Sequence, residues 1–196
     1  MGFQIQDGTG SSKKVKVSSS NKLFTEAVIR SEREEEALLG EAYIVGTGFV
    51  TLSSANQSSV LYFKNNEDVD LILTKFIIGV RNSRDGIENH IRGIIIKNPT
   101  SMSSGSGNNL TINNINFGSS NIINADSEIG REAATLNGGS TYFATVAPVE
   151  QLTSEDAATI IPKGSSIGVN IIPPTSNTSL QVSVGLNLHK LTEELL

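Results

Sequence analysis

The chain has 196 residues, which is enough for one substantial domain that buries an ordinary core without metal or disulfide staples. Hydrophobic residues make up 37% and aromatic residues 5%, with no tryptophan, so the composition predicts an aliphatic core and excludes a disordered chain. The formal net charge of −5 argues against a general nucleic-acid binder, and the absence of cysteine excludes disulfides, thiolate nucleophiles and cysteine-ligated zinc.

Residues 1–22 have the composition of an extended N-terminal arm. A stretch rich in glycine and serine before it and a run of serines after it flank a short segment in which Val15 and Val17 alternate with Lys14 and Lys16. This alternation predicts one short strand that pairs with another sheet, because it is too small to form a core alone. We interpret the lysines as a solvated arm, since a phosphate footprint needs a broader basic face. The start lacks a secretory signal, so we expect synthesis in a cytoplasm.

A short strand and a helix are predicted after the arm. Leu23 to Ile29 contains β-branched residues in partial alternation, which indicates a strand. Ser31 to Leu39 predicts a helix of about two turns, because Ser31 and Glu34 have the spacing of a capping box and Gly40 is a stop signal. We interpret the acidic run in this helix as a solvated face, and the alternative is an electrostatic contact with a basic partner.

From residue 42 onward the pattern changes from helical to alternating. Turn signals recur every ~8 to 12 residues, which is typical of a β-sandwich or barrel. The predicted strands are Ala42–Val45, Phe49–Leu52, Ser59–Lys64, Leu71–Val80, Ile91–Lys97, Tyr142–Ala147, Ser166–Ile172 and Leu180–Leu188. We expect Gly46-Thr47-Gly48 to close the first two strands as a tight hairpin.

Residues 101–127 interrupt this pattern with a stretch rich in glycine, serine and asparagine. Such a composition predicts an insertion with one or two irregular strands at the rim of the domain. A short solenoid-like stack is the alternative, although a solenoid needs several repeats of fixed period and none is clear here. We therefore predict one β domain over residues 23–196 with an insertion at about residues 100–140.

No arrangement of catalytic or metal-binding residues stands out. The chain has two histidines, His90 and His189, with no partner at motif spacing, and it lacks a phosphate-binding glycine loop. Residues 65–70 offer oxygen ligands but lack the glycine and the bidentate glutamate of a calcium loop, so a turn is the simpler interpretation. The longest apolar stretch, residues 69–80, is too short for a membrane span. We expect no enzyme activity, cofactor or metal.

Short phrases in the first 80 residues match a known group of proteins. They are Gln4 to Gly10, Lys14 to Val17, Asn21 to Leu23 and Val60 to Asp68. In these phrases the chain resembles virion structural proteins of tailed bacteriophages, of the capsid decoration (cement) or head-fibre-base type. The resemblance implies an all-β fold, a jelly-roll-like antiparallel β-sandwich with an extended N-terminal arm and one short helix. It also implies a non-enzymatic protein on the phage head surface, synthesised in the host cytoplasm.

Decoration proteins commonly form closed trimers, and a cyclic trimer leaves no open end for further growth. The expected partners are therefore further copies of the chain, as a homotrimer, and the major capsid protein of the phage; neither nucleic acid nor membrane is expected. We hypothesise that residues 3 to about 30 carry the capsid or inter-subunit contact, with the arm adding a strand to a neighbour. The candidate residues are Phe3, Ile5, Lys14, Val15, Lys16 and Val17.

Alternative functions stay open. A phage tail, neck or fibre component is the nearest alternative. A carbohydrate-binding adhesion module comes from another class, but sugar platforms usually expose Trp or Tyr. This chain offers only Tyr43, Tyr62 and Tyr142 for that role. A glycoside hydrolase is the third alternative, supported only by the surplus of Asp and Glu.

Overall fold

The computed structural model describes residues 32–54, 56–82, 90–148, 152–174 and 179–191, which form one helix and thirteen strands. The elements are α1 (Glu32–Leu39), β1 (Ala42–Gly46), β2 (Val50–Leu52), β3 (Ser58–Asn65), β4 (Leu71–Asn82), β5 (His90–Lys97), β6 (Ser101–Ser103), β7 (Thr111–Asn114), β8 (Ala125–Ile129), β9 (Thr135–Asn137), β10 (Ser140–Pro148), β11 (Leu152–Ile161), β12 (Ser166–Ile172) and β13 (Leu180–Lys190). The predicted strand Leu23 to Ile29 lies outside the described residues, as does the arm with Phe3, Ile5, Lys14, Val15, Lys16 and Val17.

Two antiparallel sheets make up most of the described domain. The first sheet has the order β11-β4-β13-β1-β7, with β2 also paired to β13, and the second has the order β10-β5-β12-β3-β8. Early strands pair with late strands in reverse order: β1 with β13, β3 with β12, β4 with β11 and β5 with β10. This nested pairing is the jelly-roll topology, so the expected all-β jelly-roll sandwich with one short helix is confirmed.

The core lies between the inner faces of the two sheets. On β13 every second residue is apolar and faces the core, as the alternation in the sequence indicates. None of these residues is more than 2% exposed. They are Leu180, Val182, Val184, Leu186 and Leu188. Phe63, Val169 and Ile171 face them from the second sheet in the same apolar cluster. Each fully buried side chain of this size stabilises the fold by about 1.5–3 kcal/mol, which sets the strand register.

The predicted hairpin at residues 46–48 is wrong. β1 and β2 do not pair with each other; both pair with β13, so they form one interrupted strand at the same position in the first sheet. Thr47 bridges the interruption, since its N–H donates to Val184 O and its Oγ1 accepts from Val184 N, both at 3.0 Å. The Thr47 hydroxyl thus replaces a backbone acceptor that is missing from the ladder. The sequence Gly-Thr-Gly does not distinguish such an interruption of a strand from a hairpin turn.

The insertion contains four strands, β6 to β9, where one or two irregular strands at the rim were expected, and these strands do not stack as a solenoid. β7 extends the first sheet beside β1, and β8 extends the second sheet beside β3. The β6–β9 ribbon packs on the outer face of the second sheet, where Met102 and Ala134 form a small cluster with Tyr62. Leu136 of the ribbon lies against Gly168, where a Cβ would overlap its side chain. The glycine therefore gives the Leu136 side chain room to lie directly on the sheet.

β11 is a long strand that the sequence pattern does not predict. It pairs with β4 along the edge of the first sheet, with a register shift between Asp156 and Thr159. The stretch Glu155-Asp156-Ala157-Ala158 contains residues that are depleted in strands and breaks the alternation. Pairing with β4 therefore overrides a weak local preference at this edge.

Candidate functional site

Those of the considered histidines and acidic residues whose side chains the structure describes do not form a reactive group. His189 is buried near the end of β13, and the side chain of His90 lies outside the description. Among the described residues no group of three or more His, Cys, Asp or Glu side chains is arranged to hold a metal ion. The short α1, the only helix in the described ranges, falls well short of what a bilayer crossing demands.

The turn considered as a calcium loop is held by structural contacts. The buried side chain of Asn65 donates to two backbone carbonyls at 3.0 Å each, which forms the turn from within. Asp68 pairs with the Lys163 ammonium, and Asp70 accepts a hydrogen bond from the Lys163 backbone N–H at 3.1 Å. The hydrogen bond from Lys163 holds the pKa of the Asp68 carboxyl below its usual range. Glu67 points elsewhere, so the turn does not gather its carboxylates around one point.

Exposed apolar side chains mark one end of the first sheet, next to β1 and β7. Phe117 is 100% exposed and Ile122 is 82% exposed, while Leu38 and Leu39 at the end of α1 are 59% exposed each. We call these four residues the protruding patch. Single exposed apolar residues are ordinary, but a group of them on a soluble domain indicates a contact surface.

Asparagine side chains hold the loop of the protruding patch against the end of α1. The Nδ2 of Asn114 donates to Gly40 O at 2.7 Å, and the Nδ2 of Asn121 donates to the same oxygen at 3.3 Å. Asn116 donates to Leu38 O at 3.2 Å. The last carbonyls of a helix lack intrahelical donors, and each such hydrogen bond contributes about 1 kcal/mol. The asparagine-rich composition therefore serves as a helix cap, which the sequence pattern did not reveal.

The end of α1 is closed by a glycine that the loop requires. Gly40 has a φ of +73°, and the Glu41 N–H donates to Glu36 O at 2.8 Å while the Gly40 N–H donates to Ala37 O at 3.1 Å. This pair of bonds is the Schellman motif. A Cβ at Gly40 would also overlap the side chain of Ser119 in the loop. Helix end and loop are thus one packed unit, which holds the backbone of the protruding patch in place.

An ion cluster secures the base of the same loop. Lys190 Nζ lies 3.1 Å from Glu41 Oε2 and 3.3 Å from Glu67 Oε2. The insertion joins it, since Asn121 Nδ2 donates to Glu41 at 3.1 Å and the Asn124 N–H donates to Glu67 at 2.5 Å. Burial lowers the pKa of Lys190, but the hydrogen bonds and charges of its partners outweigh burial and raise that pKa above its ordinary value. The cluster ties β13, the β3–β4 turn and the insertion together.

The opposite edge of the sandwich, between β10 and β11, carries a second apolar surface. A cleft of about 80 Å³ opens there between the two sheets. Ile95, Ile161 and Ile167 form its floor, and Tyr142 and Ile160, each 55% exposed, form its walls. We call it the edge cleft. Its floor is continuous with the core, so an apolar group placed in it would extend the buried interior.

A β-bulge shapes the edge cleft. The register of β10 against β5 shifts between Thr141 and Phe143, which leaves Tyr142 as the extra residue. The bulge directs the Tyr142 hydroxyl to Thr159 Oγ1, 3.0 Å away across the edge. Both strands that flank the cleft contain a register shift, and bulged edges resist the addition of a further strand. The cleft is therefore suited to side chains and not to strand pairing.

The three tyrosines bear on the carbohydrate-binding alternative. Tyr43 lies fully inside the core, and Tyr62 is covered by the β6–β9 ribbon and donates to Thr100 O at 3.2 Å. Burial raises the pKa of both hydroxyls above the ordinary tyrosine value. Only Tyr142 is exposed among these three, and a sugar platform usually offers more aromatic surface. This arrangement gives no support to glycan recognition.

Comparisons with known proteins do not identify the chain. No family model matches it, and neither a curated protein nor a solved structure resembles it significantly.

Proposed function

We propose that this chain is a non-enzymatic structural protein of a tailed-phage particle, which decorates and stabilises the head by assembling with copies of itself and with the major capsid protein. The resemblance of its first 80 residues to virion proteins supports the phage assignment. The observation that carries the assembly role is the concentration of exposed apolar side chains at two opposite edges of the jelly roll. Contact with other proteins is the simplest use of such surfaces.

The jelly roll suits an assembly role because it is rigid where it meets its partners. The protruding patch is fixed by the asparagine cap, and the edge cleft is shaped by a bulge and a hydrogen bond. A preorganised surface loses little conformational entropy on binding, so a modest area can give useful affinity. Jelly rolls also occur in viral capsid domains, which is a likeness of architecture alone.

The arm is the proposed contact with the head. Its residues Val15 and Val17 supply apolar contacts, and Lys14 and Lys16 supply positive charge. Several weak arm contacts within one oligomer would act together through effective concentration, and attachment would then exceed the affinity of a single arm.

Binding to heads tests the proposal directly. The full-length protein is mixed with heads assembled from the major capsid protein of its phage, and the bound fraction is measured by co-sedimentation. We expect saturable binding, and at least a tenfold loss for the double variant Val15→Ser, Val17→Ser. Phe49→Ala, which removes an exposed side chain outside the arm, is the control and should bind normally. A protein that ignores heads and stays monomeric at every concentration would refute the proposed function.

A further inference from the structure

We propose that copies of this chain associate head to tail, with Phe117 of one copy seated in the edge cleft beside Tyr142 of the next. The inference rests on the proposed assembly function and specifies the surfaces that carry out self-association. Four features of the described residues support it. The two edges of the sandwich are closed differently, Phe117 is fully exposed, the edge cleft has room for part of an aromatic ring, and the two surfaces lie beside opposite charges.

The two edges of the sandwich are closed differently. At the β7–β8 edge the insertion contributes Leu110 and Ile123 to the core cluster, so the interior is covered there. At the β10–β11 edge no described segment does the same, and the core residues Ile95 and Ile161 line an open cleft. An apolar side chain from outside would complete this edge as the insertion completes the other.

Phe117 is the side chain that we infer fills this cleft. It is fully exposed, yet its neighbours are fixed: the Gly118 N–H donates to Asn116 Oδ1 at 3.0 Å, and Asn116 is bonded to the end of α1. An exposed aromatic ring on a backbone segment that is held by hydrogen bonds matches the residues that dominate protein interfaces.

Size and charge are compatible. A cavity of about 150 Å³ accommodates benzene, so a half-open cleft of about 80 Å³ has room for about half of a phenyl ring, and the rest of the ring would lie against Tyr142. The exposed Glu35 lies one turn before Leu39 of the protruding patch, and Lys97 lines the cleft. Opposite charges beside the two apolar surfaces favour this pairing over like with like.

The placement of the two surfaces determines the type of assembly. β7 and β11 are the two edge strands of the first sheet, so the protruding patch and the edge cleft lie at opposite edges of that sheet. A contact between different surfaces is heterologous: it closes into a ring when the rotation between successive copies allows, and otherwise it continues as an open chain of copies.

Two substitutions and one control measure the contact. Phe117→Ala and Ile160→Asp in the full-length chain should each raise the dissociation constant of the oligomer about 30-fold or more in sedimentation velocity experiments. Phe49→Ala removes an aromatic side chain that is 60% exposed and belongs to neither surface, so it should leave the constant unchanged. Circular dichroism verifies that each variant is folded. Equal constants for all three variants and the parent chain would overturn the inference.

Cross-linking identifies which surfaces meet. The natural chain has no cysteine, so single variants Ser120→Cys and Thr141→Cys place one thiol beside each surface. A short bismaleimide should join them only when the two variants are mixed. Cross-linking between two copies of Ser120→Cys would show that two patches contact each other. Cross-linking between Val17→Cys and Thr141→Cys would show that the arm occupies the cleft. Either result overturns head-to-tail pairing. If the protein binds heads and Phe117→Ala leaves the dissociation constant of the oligomer unchanged, this inference alone is overturned and the proposed function stands.

Discussion

Replacing Gly40 with alanine tests whether the end of α1 and the insertion loop form one packed unit. The φ of +73° at Gly40 costs an L-residue about 1–2 kcal/mol. The new Cβ also overlaps the side chain of Ser119, whose Oγ accepts a hydrogen bond from the Asn121 N–H at 3.1 Å. Overpacking of this kind costs a further ~1–3 kcal/mol. We therefore expect Gly40→Ala to lower the free energy of unfolding by about 2–5 kcal/mol.

Gly107→Ala is the matched control for this experiment. Gly107 has a φ of +75°, but nothing lies within 4 Å of a Cβ built there, so only the backbone cost of about 1–2 kcal/mol applies. Both variants are compared by urea denaturation followed by circular dichroism. In a double-mutant cycle, Ser119→Gly should recover about 1–3 kcal/mol of the loss caused by Gly40→Ala. Equal losses for the two alanine variants, or no recovery, would refute the packed unit.

Two further predictions concern the first sheet. Thr47→Val leaves the buried Val184 N–H without its acceptor and should cost about 1–3 kcal/mol in denaturant unfolding, whereas Thr47→Ser keeps the hydroxyl and should cost less than about 1 kcal/mol; equal losses would contradict the bridging role. The raised pKa of Lys190 means that its contribution is fully present below the ordinary lysine pKa and is lost as pH rises through the higher folded value. The unfolding free energy should therefore fall in the strongly alkaline range, and less steeply for Lys190→Met; identical pH profiles would contradict this assignment.

The strands with clear alternation were predictable because their packing is local in the sequence. β13 is the best example, since every second residue from Leu180 to Leu188 is buried as the pattern indicates. The helix over Glu32–Leu39 was predictable for a similar reason, because its stop signal at Gly40 is local. The failures were the hairpin at residues 46–48 and the missing strand β11, where contacts with distant strands decide the outcome.

The candidate surfaces were beyond sequence reasoning for a different reason. Phe117 and Ile122 are isolated apolar residues in a polar loop, and nothing local distinguishes them from buried residues of an irregular strand. Tyr142 reads as part of a regular strand, and only its pairing with β5 creates the bulge that turns it toward Thr159. The exposure of a side chain and the register of a strand depend on which segments pack together, so neither can be read from one segment alone.

Composition, alternation and turn chemistry thus determined an all-β domain with an aliphatic core, because these features act over a few neighbouring residues. Tertiary structure alone decided that Tyr43 lies opposite Leu188, that asparagines of the insertion cap α1, and that one edge of the sandwich is covered while the other is open. These outcomes depend on residues far apart in the chain. Their contacts are selected by burial of the whole core and not by any local pattern.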